Sequence, residues 1–494
     1  VKRMIHVSDL LNYKRCPKYC WNNVHRKHPF EGFYHMEKPF SDYWKEYLNI
    51  QNAPCGQVGD TNEDTLNLLK NSDVVCSVRF EYRNCRTRIP VLMKMEDGYK
   101  AIYPHLSAYP KESEAQLMKI NIQIAQSAGV HITSNEIIYL NKEYIRKDYL
   151  DLNEFLLRSN HLFNRRNKPS KTIDECMEQY DFDLDEWIDT VQTLLDSPEF
   201  TLNRSKKCTT GRRCSYYDDC FDESKLPDDS ILFLTTSSHK LQAYANGIRR
   251  ISDLEPEDIE GFKLQYAQYM ASKHGIFYDK AALKIWTSMI QYPISYLDFE
   301  WDTFAIPPYE NMKAFDVLCF QYSLHIEDVN HNLSHHDFFD TADCREKFIL
   351  SLLETIPKKG SILVYNMEGA EKLRLKQLGE QFPKYKEQLD QICDRMIDLS
   401  KPFECGLFYD NRMRGHYSLK KVLPVFTDEY SYHQLSIQNG LNAVFTYRTF
   451  DSALPEQKQV IRQELSNYCK MDTFAEYVIF HGLEKYLKED DVNA

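Results

Sequence analysis

The sequence contains no apolar run approaching 18 residues, which excludes an ordinary membrane-spanning helix. Its first residues, Val1 to His6, carry Lys2 and Arg3 and no apolar stretch of signal-peptide type. Internal repeats and low-complexity tracts are lacking too, so a solenoid or a disordered array is not expected. Positive charge is also short. Against 73 Asp and Glu there are 61 Lys and Arg, a net charge of −12. Such a balance argues against indiscriminate coating of nucleic acid, yet leaves room for a local basic channel. These absences predict a soluble, cytoplasmic protein without membrane contact.

What is present is ample. A chain of 494 residues, 43% apolar and carrying 33 Tyr and 27 Phe, predicts two or three packed domains. Fourteen cysteines in a chain of cytosolic character read as reduced thiols, in ligand or core roles rather than disulfides. Ten are scattered, among them Cys55, Cys76, Cys85, Cys319 and Cys393, and read as small apolar residues. Four stand out: Cys16 and the spaced trio Cys208, Cys214 and Cys220. Beside the trio, Arg204, Lys206, Lys207, Arg212 and Arg213 form a basic segment, either a solvated loop or a contact to a nucleic-acid backbone.

The run Ile294-Ser-Tyr-Leu-Asp298-Phe-Glu300 has the character of a buried strand. Alternate strand residues share a face, so Asp298 and Glu300 project together. Two neighbouring buried carboxylates repel unless a cation lies between them, and hard oxygen ligands suit Mg²⁺ or Mn²⁺. Further on, Ser361 to Asn366 reads as a strand running into a helix start at Met367 to Leu375, which carries Glu371. From about Glu456 to Leu487 a helical pattern places Tyr468 and Asp472 four apart on one face, with Ile461 and Leu465. An aspartate on an apolar helix stripe is expensive unless paired or metal-bound.

This order of motifs resembles the DEDD (DnaQ-like, ribonuclease-H-fold) 3′–5′ exonucleases. Tyr468 before Asp472 matches the tyrosine subtype, since Asn467 stands where the histidine subtype has His. Ala370-Glu371 departs from the usual Phe/Tyr-Asp of the second motif. Phe320 to His325, Asp398 to Phe403 and Gly415 to Pro424 are similar to a bacterial family that joins a RecB-like, cysteine-containing nuclease domain to a DEDD domain. The resemblance implies an α/β protein of three parts. Residues 1–226 would form a RecB-like nuclease-type domain stapled by a metal cluster, 227–290 a helical connector, and 291–494 a ribonuclease-H-like DEDD exonuclease domain. It further implies that Asp298, Glu300, Glu371 and Asp472 hold two Mg²⁺ or Mn²⁺ ions and that Tyr468 orients the attacking water.

The opening His6 to Pro17, with Cys16-Pro17, resembles RecB-like PD-(D/E)XK nucleases that carry a 4Fe–4S cluster. One cysteine precedes their nuclease core and three follow it, so Cys16, Cys208, Cys214 and Cys220 would be the ligands, with Cys20 a competing neighbour of Cys16. Thiolates suit tetrahedral Zn²⁺ equally, and ordinary core cysteines are the bland alternative. The acids of that nuclease signature are missing: Pro90, Tyr103 and His105 stand where Asp, Glu and Lys belong, and Gln123 and Gln126 follow on a helix. The expectation is a domain that binds nucleic acid, single strands or 3′ ends, without cutting it. In the connector, His239 to Leu254 reads as helix, Gly247 stop and a second, capped helix. The partner remains open between DNA and RNA, and the pathway between genome maintenance and defence against phage. A catalytically inactive nucleic-acid-binding or adaptor protein is the alternative function.

Overall fold

The computed structural model describes residues 3–26, 32–210 and 212–489; Val1 and Lys2 of the opening segment and Gly211 of the basic segment lie outside them. The chain is mixed α/β and divides into two compact units, Val1–Phe221 with Phe304–Asp316, and Asp222–Thr303 with Val317–Ala494. Among the described residues no helix is long and apolar enough to cross a membrane.

The first unit is built on strands β1 (Ile5–His6), β2 (Val74–Tyr82), β3 (Cys85–Met95), β4 (Gly98–Pro104), β5 (Ile132–Leu140) and β6 (Leu156–Ser159). They form one sheet in the order β1-β3-β4-β5-β6, with β2 also paired to β3. The helix Glu114–Ser127 connects β4 to the parallel β5. Alternation along β4 and β5 builds a core on each face: Ala101, Tyr103 and Ile137 join one apolar cluster, Ile102 and Ile138 another. Ile306 and Ala314, from the excursion Phe304–Asp316, belong to the second cluster. A two-stranded ribbon, β7 (His161–Phe163) with β8 (Pro169–Thr172), completes the strands of this unit.

The second unit opens with helical residues. Lys240–Ala245 is an α-helix ended at Gly247, as the sequence predicts, but the expected second helix is a single 3₁₀ turn, Ile251–Asp253. Arg250 caps that turn with Asp253, and Pro256 starts another 3₁₀ turn three residues later, which leaves no room for an α-helix. Strand β9 (Ile276–Tyr278) pairs with β15 (Phe408–Asp410). The main sheet comprises β10 (Ile294–Thr303), β11 (Val317–Glu327), β12 (Leu333–Phe339), β13 (Ile362–Val364) and β14 (Met396–Asp398), in the order β12-β11-β10-β13-β14. β11 runs antiparallel to β10 and β12, whereas β13 lies parallel to β10 and β14.

The two faces of β10 differ in chemistry. Leu297 and Phe299 enter an apolar cluster with Phe348, Leu352, Leu375 and Ile392 from the helices Arg345–Thr355, Glu371–Gln381 and Lys386–Asp394. The intervening Asp298 and Glu300 point to the opposite face, where the long helix Pro455–Glu489 packs on β10 and β11. Thr473 ties that helix to the sheet: its hydroxyl meets Ser323 Oγ and His325 Nδ1, each at 2.8 Å.

Candidate functional site

The strand period delivers the first two carboxylates. Glu300 is buried, 7% exposed, while Asp298 is half-buried at the same face. Their carboxylate oxygens and the Cys469 Sγ lie within 4.8 Å of one another. Cys469 is a buried thiol that stays protonated, and it lies 3.5 Å from Asp298 Oδ2.

The third acid comes from a strand-to-helix junction that Asp398 organises. That buried carboxylate at the end of β14 accepts from Asn366 N–H at 3.0 Å, Met367 N–H at 3.1 Å and Ser400 N–H at 2.9 Å. Asn366, at φ 64°, turns the chain through the left-handed region into a 3₁₀ turn, Met367–Gly369. The α-helix therefore begins at Glu371 rather than at Met367, where the sequence pattern starts it. As its first residue, Glu371 is buried, with Oε2 lacking any hydrogen-bond partner.

The helix Pro455–Glu489 supplies the rest. Asp472 accepts a hydrogen bond of 2.6 Å from the Tyr432 hydroxyl, and Tyr468 stands one turn earlier on the same helix. Lys420, on the helix Leu419–Phe426, donates to the Tyr468 oxygen at 3.0 Å and to the Gln438 carbonyl. Its ammonium sits 4.9 and 4.8 Å from the centres of the Tyr432 and Tyr468 rings. Arg448 clamps the buried Asp302 with bonds of 3.1 and 2.7 Å, fixing the helix Gly440–Arg448 to β10. At its start a Cβ on Gly440 would stand 3.7 Å from Glu300 Oε2, an ordinary packing distance that places the helix start beside the acid.

The sequence-predicted residues Asp298, Glu300, Glu371, Asp472 and Tyr468 thus meet in one place, brought from three distant segments. Burial first, then the charges of Asp472, Glu300 and Glu371, hold the Asp298 carboxyl well above the usual carboxylate range. Glu300 is raised by burial and by Asp472, with Lys420 pulling the other way. Burial raises Glu371 as well, against the pull of the backbone amides of Glu371 and Phe299. Burial raises Asp472 too, while Tyr432, Lys420 and Tyr468 pull the other way. Tyr468 is itself pushed well above the ordinary phenol range by burial and by the acids around it, so its hydroxyl keeps its proton.

Sequence reasoning missed three members. Tyr432 lies in a short 3₁₀ turn, Tyr432–Gln434, with no periodic signal. Lys420 stands inside a conspicuous motif but gave no hint of its direction. Glu476 is detectable in principle, since it repeats the acid-on-apolar-stripe signal four residues after Asp472.

In the first unit the four selected cysteines also gather. Cys16 links the helices Val7–Arg15 and Pro17–His25. The Cys220 thiol is raised by burial, with Cys214 and Cys16 adding to the shift and Asn22 and Lys18 opposing it. Cys208 joins through its carbonyl, which accepts from Cys214 N–H at 2.9 Å. Among the described residues, Asp298, Glu300 and Cys469 are the one group of three or more potential ligands within 4.8 Å, so no three of these four thiols are that close. Tetrahedral Zn²⁺ would need sulfurs roughly 3.8 Å apart, from Zn–S bonds of about 2.3 Å.

The basic segment is partly committed to its own fold. Arg213 pairs with Asp218 and lies 4.1 Å over Tyr217. Arg204 stacks 4.5 Å over Phe221 and donates to the Tyr217 hydroxyl at 3.3 Å. Arg212 lies 5.0 Å over Phe33, and Lys206 and Lys207 are exposed on a 3₁₀ turn. Where the nuclease acids are missing, Tyr103 is buried and its hydroxyl accepts from Asn121 at 3.3 Å, while Thr87 donates to Asn121 at 2.5 Å. Burial lowers the nearby His105 to about 4, so this imidazole is neutral.

Residues 295–418 match a family described as a domain of unknown function, DUF2779. The match takes in Asp298, Glu300 and Glu371 and stops short of Tyr468 and Asp472. An uncharacterized protein of Ureaplasma parvum, UU173, is 25% identical over 218 residues, covering 39% of this chain and 31% of that protein. The chain therefore spans about a third of that relative's length. No solved structure matches the chain.

Proposed function

We propose that the protein is a metal-dependent 3′–5′ exonuclease that hydrolyses phosphodiester bonds of DNA or RNA, with its catalytic centre in the second unit. One observation carries this reading. Asp298 and Glu300 from a strand, Glu371 from a helix start and Asp472 from a late helix converge, with Tyr468 one turn before the last. The strand order supports it as well: counted from β10, the sheet runs 3-2-1-4-5 with the second strand antiparallel, as in a ribonuclease-H-like domain.

The residues fit a pair of hard cations. Asp298 and Glu300 offer oxygens within 4.8 Å of each other, the charges of Glu371 and Asp472 act on Asp298, Glu371 Oε2 lacks a partner, and Lys420 is the basic side chain acting on Asp298, Glu300 and Asp472. Bound by Asp298, Glu300, Glu371 and Asp472, two Mg²⁺ or Mn²⁺ ions would acidify the attacking water and neutralise charge on the leaving oxygen. The chain itself contributes position. Tyr468, protonated and held by Lys420, orients the water rather than taking its proton.

In this reading the first unit is RecB-like, with Cys16, Cys208, Cys214 and Cys220 holding a 4Fe–4S cluster that staples its ends. Its buried Thr87–Asn121–Tyr103 chain holds no acid, so this unit would grip nucleic acid through Lys206, Lys207 and Arg212 without cutting. Purified protein should be incubated with end-labelled single- and double-stranded DNA and RNA in Mn²⁺, Mg²⁺ or EDTA. Stepwise loss from 3′ ends that EDTA abolishes is expected. Binding without degradation of any substrate in either metal would leave an adaptor protein instead.

A further inference from the structure

Glu476 is the buried acid for which the proposed reaction has no use. It follows Asp472 by four residues on the helix Pro455–Glu489, so the two share one helix face. Its side chain is 1% exposed, and both carboxylate oxygens are buried without a hydrogen-bond partner. Its neighbours differ in this respect. Asp472 has Tyr432, Asp398 has the amides of Asn366, Met367 and Ser400, and Asp298 has the Cys469 thiol. Glu476 instead faces carboxylates: Asp298, Glu371, Asp472 and Asp398 all act on it.

A buried carboxylate without a donor is costly, and buried polar groups normally find partners. Glu371 Oε2 is likewise unpartnered and buried, and the Glu371 carboxylate is among the charges that act on Glu476. They arrive on separate helices, Glu371–Gln381 and Pro455–Glu489. Buried carboxylate oxygens left without a hydrogen-bond donor, both of Glu476 and Oε2 of Glu371, are what a hard divalent cation takes as ligands.

We propose that Glu476, together with Glu371, is a ligand of one of the two divalent cations, making the centre a five-carboxylate site. The proposal rests on the metal-dependent reading above. It gives Glu371 a partner on the helix that already presents Asp472. It also gives the unpartnered oxygens of Glu476 and Glu371 a shared purpose, which protonation of either alone does not.

The test uses the full chain and Mn²⁺ alone as the probe. Binding is followed by calorimetry and by the electron paramagnetic resonance of free Mn²⁺, for wild type, Glu476→Gln and Asp298→Asn. Wild type should bind two ions. Glu476→Gln should keep one and bind the second at least about tenfold more weakly, on the scale found for residues supporting metal sites. Equal binding of both ions by Glu476→Gln overturns the proposal and leaves the nuclease reading intact. Absence of Mn²⁺ binding by wild type overturns both. Anomalous scattering from Mn²⁺-soaked wild-type crystals decides the matter without a variant. A Glu476 oxygen within about 2.5 Å of an ion is required, and ions bound beyond its reach contradict the assignment.

Discussion

The hydroxyl of Tyr432 lies 2.6 Å from Oδ1 of Asp472, a buried pair formed across a turn and a helix 40 residues apart. The bond keeps one oxygen of Asp472 fixed while Tyr468 and Lys420 act on the same group. The two phenols consequently have different tasks. In the proposed reaction Tyr432 would fix a metal ligand, and Tyr468 would present its hydroxyl to the attacking water.

Tyr468→Phe is expected to slow nucleotide release by a factor of order 10² with little change in substrate binding. Tyr432→Phe should instead weaken metal affinity and lower stability by about 1.5–3 kcal/mol, the range for a hydrogen bond to a charged group. Turnover, Mn²⁺ titration and urea unfolding of both variants separate these roles. An unchanged rate in Tyr468→Phe would return that residue to simple helix packing.

Parts of this site were readable from the sequence, for definite reasons. Asp298 and Glu300 are two apart in an apolar run, and only a strand puts both on one face. Tyr468 and Asp472 are four apart in a long helical pattern. Other parts were not readable. The helix at Glu371 begins late because Asn366 takes a left-handed conformation under the control of Asp398, a hydrogen bond across 32 residues. Tyr432 and Lys420 are placed by tertiary packing alone. The 3₁₀ turn at Ile251 replaced an expected helix because Pro256 follows too soon.

Stability should depend on pH through His481. Burial opposes its charge, but the carboxylates of Glu484 and Glu327, each 2.9 Å away, prevail and raise the imidazole above its ordinary value. Because the folded pKa exceeds the unfolded one, this contribution is complete below the ordinary histidine pKa of about 6.5 and is lost as pH rises through the raised value. Urea midpoints measured between pH 5.5 and 8.5 should therefore fall less with pH in His481→Gln than in wild type. Parallel curves would show that the pairing adds no net stability.

Anaerobically purified protein should be brown, absorb broadly near 400 nm and carry about four irons per chain. Cys214→Ser should lose the colour. Stoichiometric zinc without iron would replace the cluster with a zinc staple.

Affinity for nucleic acid should fall steeply with salt, because each neutralised phosphate releases counterions. Charge reversal at Lys206, Lys207 and Arg212 should weaken binding and reduce the salt slope by about 1 for each phosphate no longer neutralised. Reversal at Arg213 should act chiefly on folding, since Asp218 and Tyr217 already engage it. Filter binding across a salt series measures both, and salt-independent binding would contradict this assignment.

The most direct test of the central claim is release of labelled mononucleotide from a 3′-end-labelled oligonucleotide in Mn²⁺. Wild type, Asp298→Asn and Asp472→Asn should be compared, with circular dichroism confirming that each is folded. Wild type should release label from the 3′ end, and both folded variants should lose that activity by several orders of magnitude. Undiminished release by either folded variant, or none by wild type, would contradict a nuclease centre built on these carboxylates.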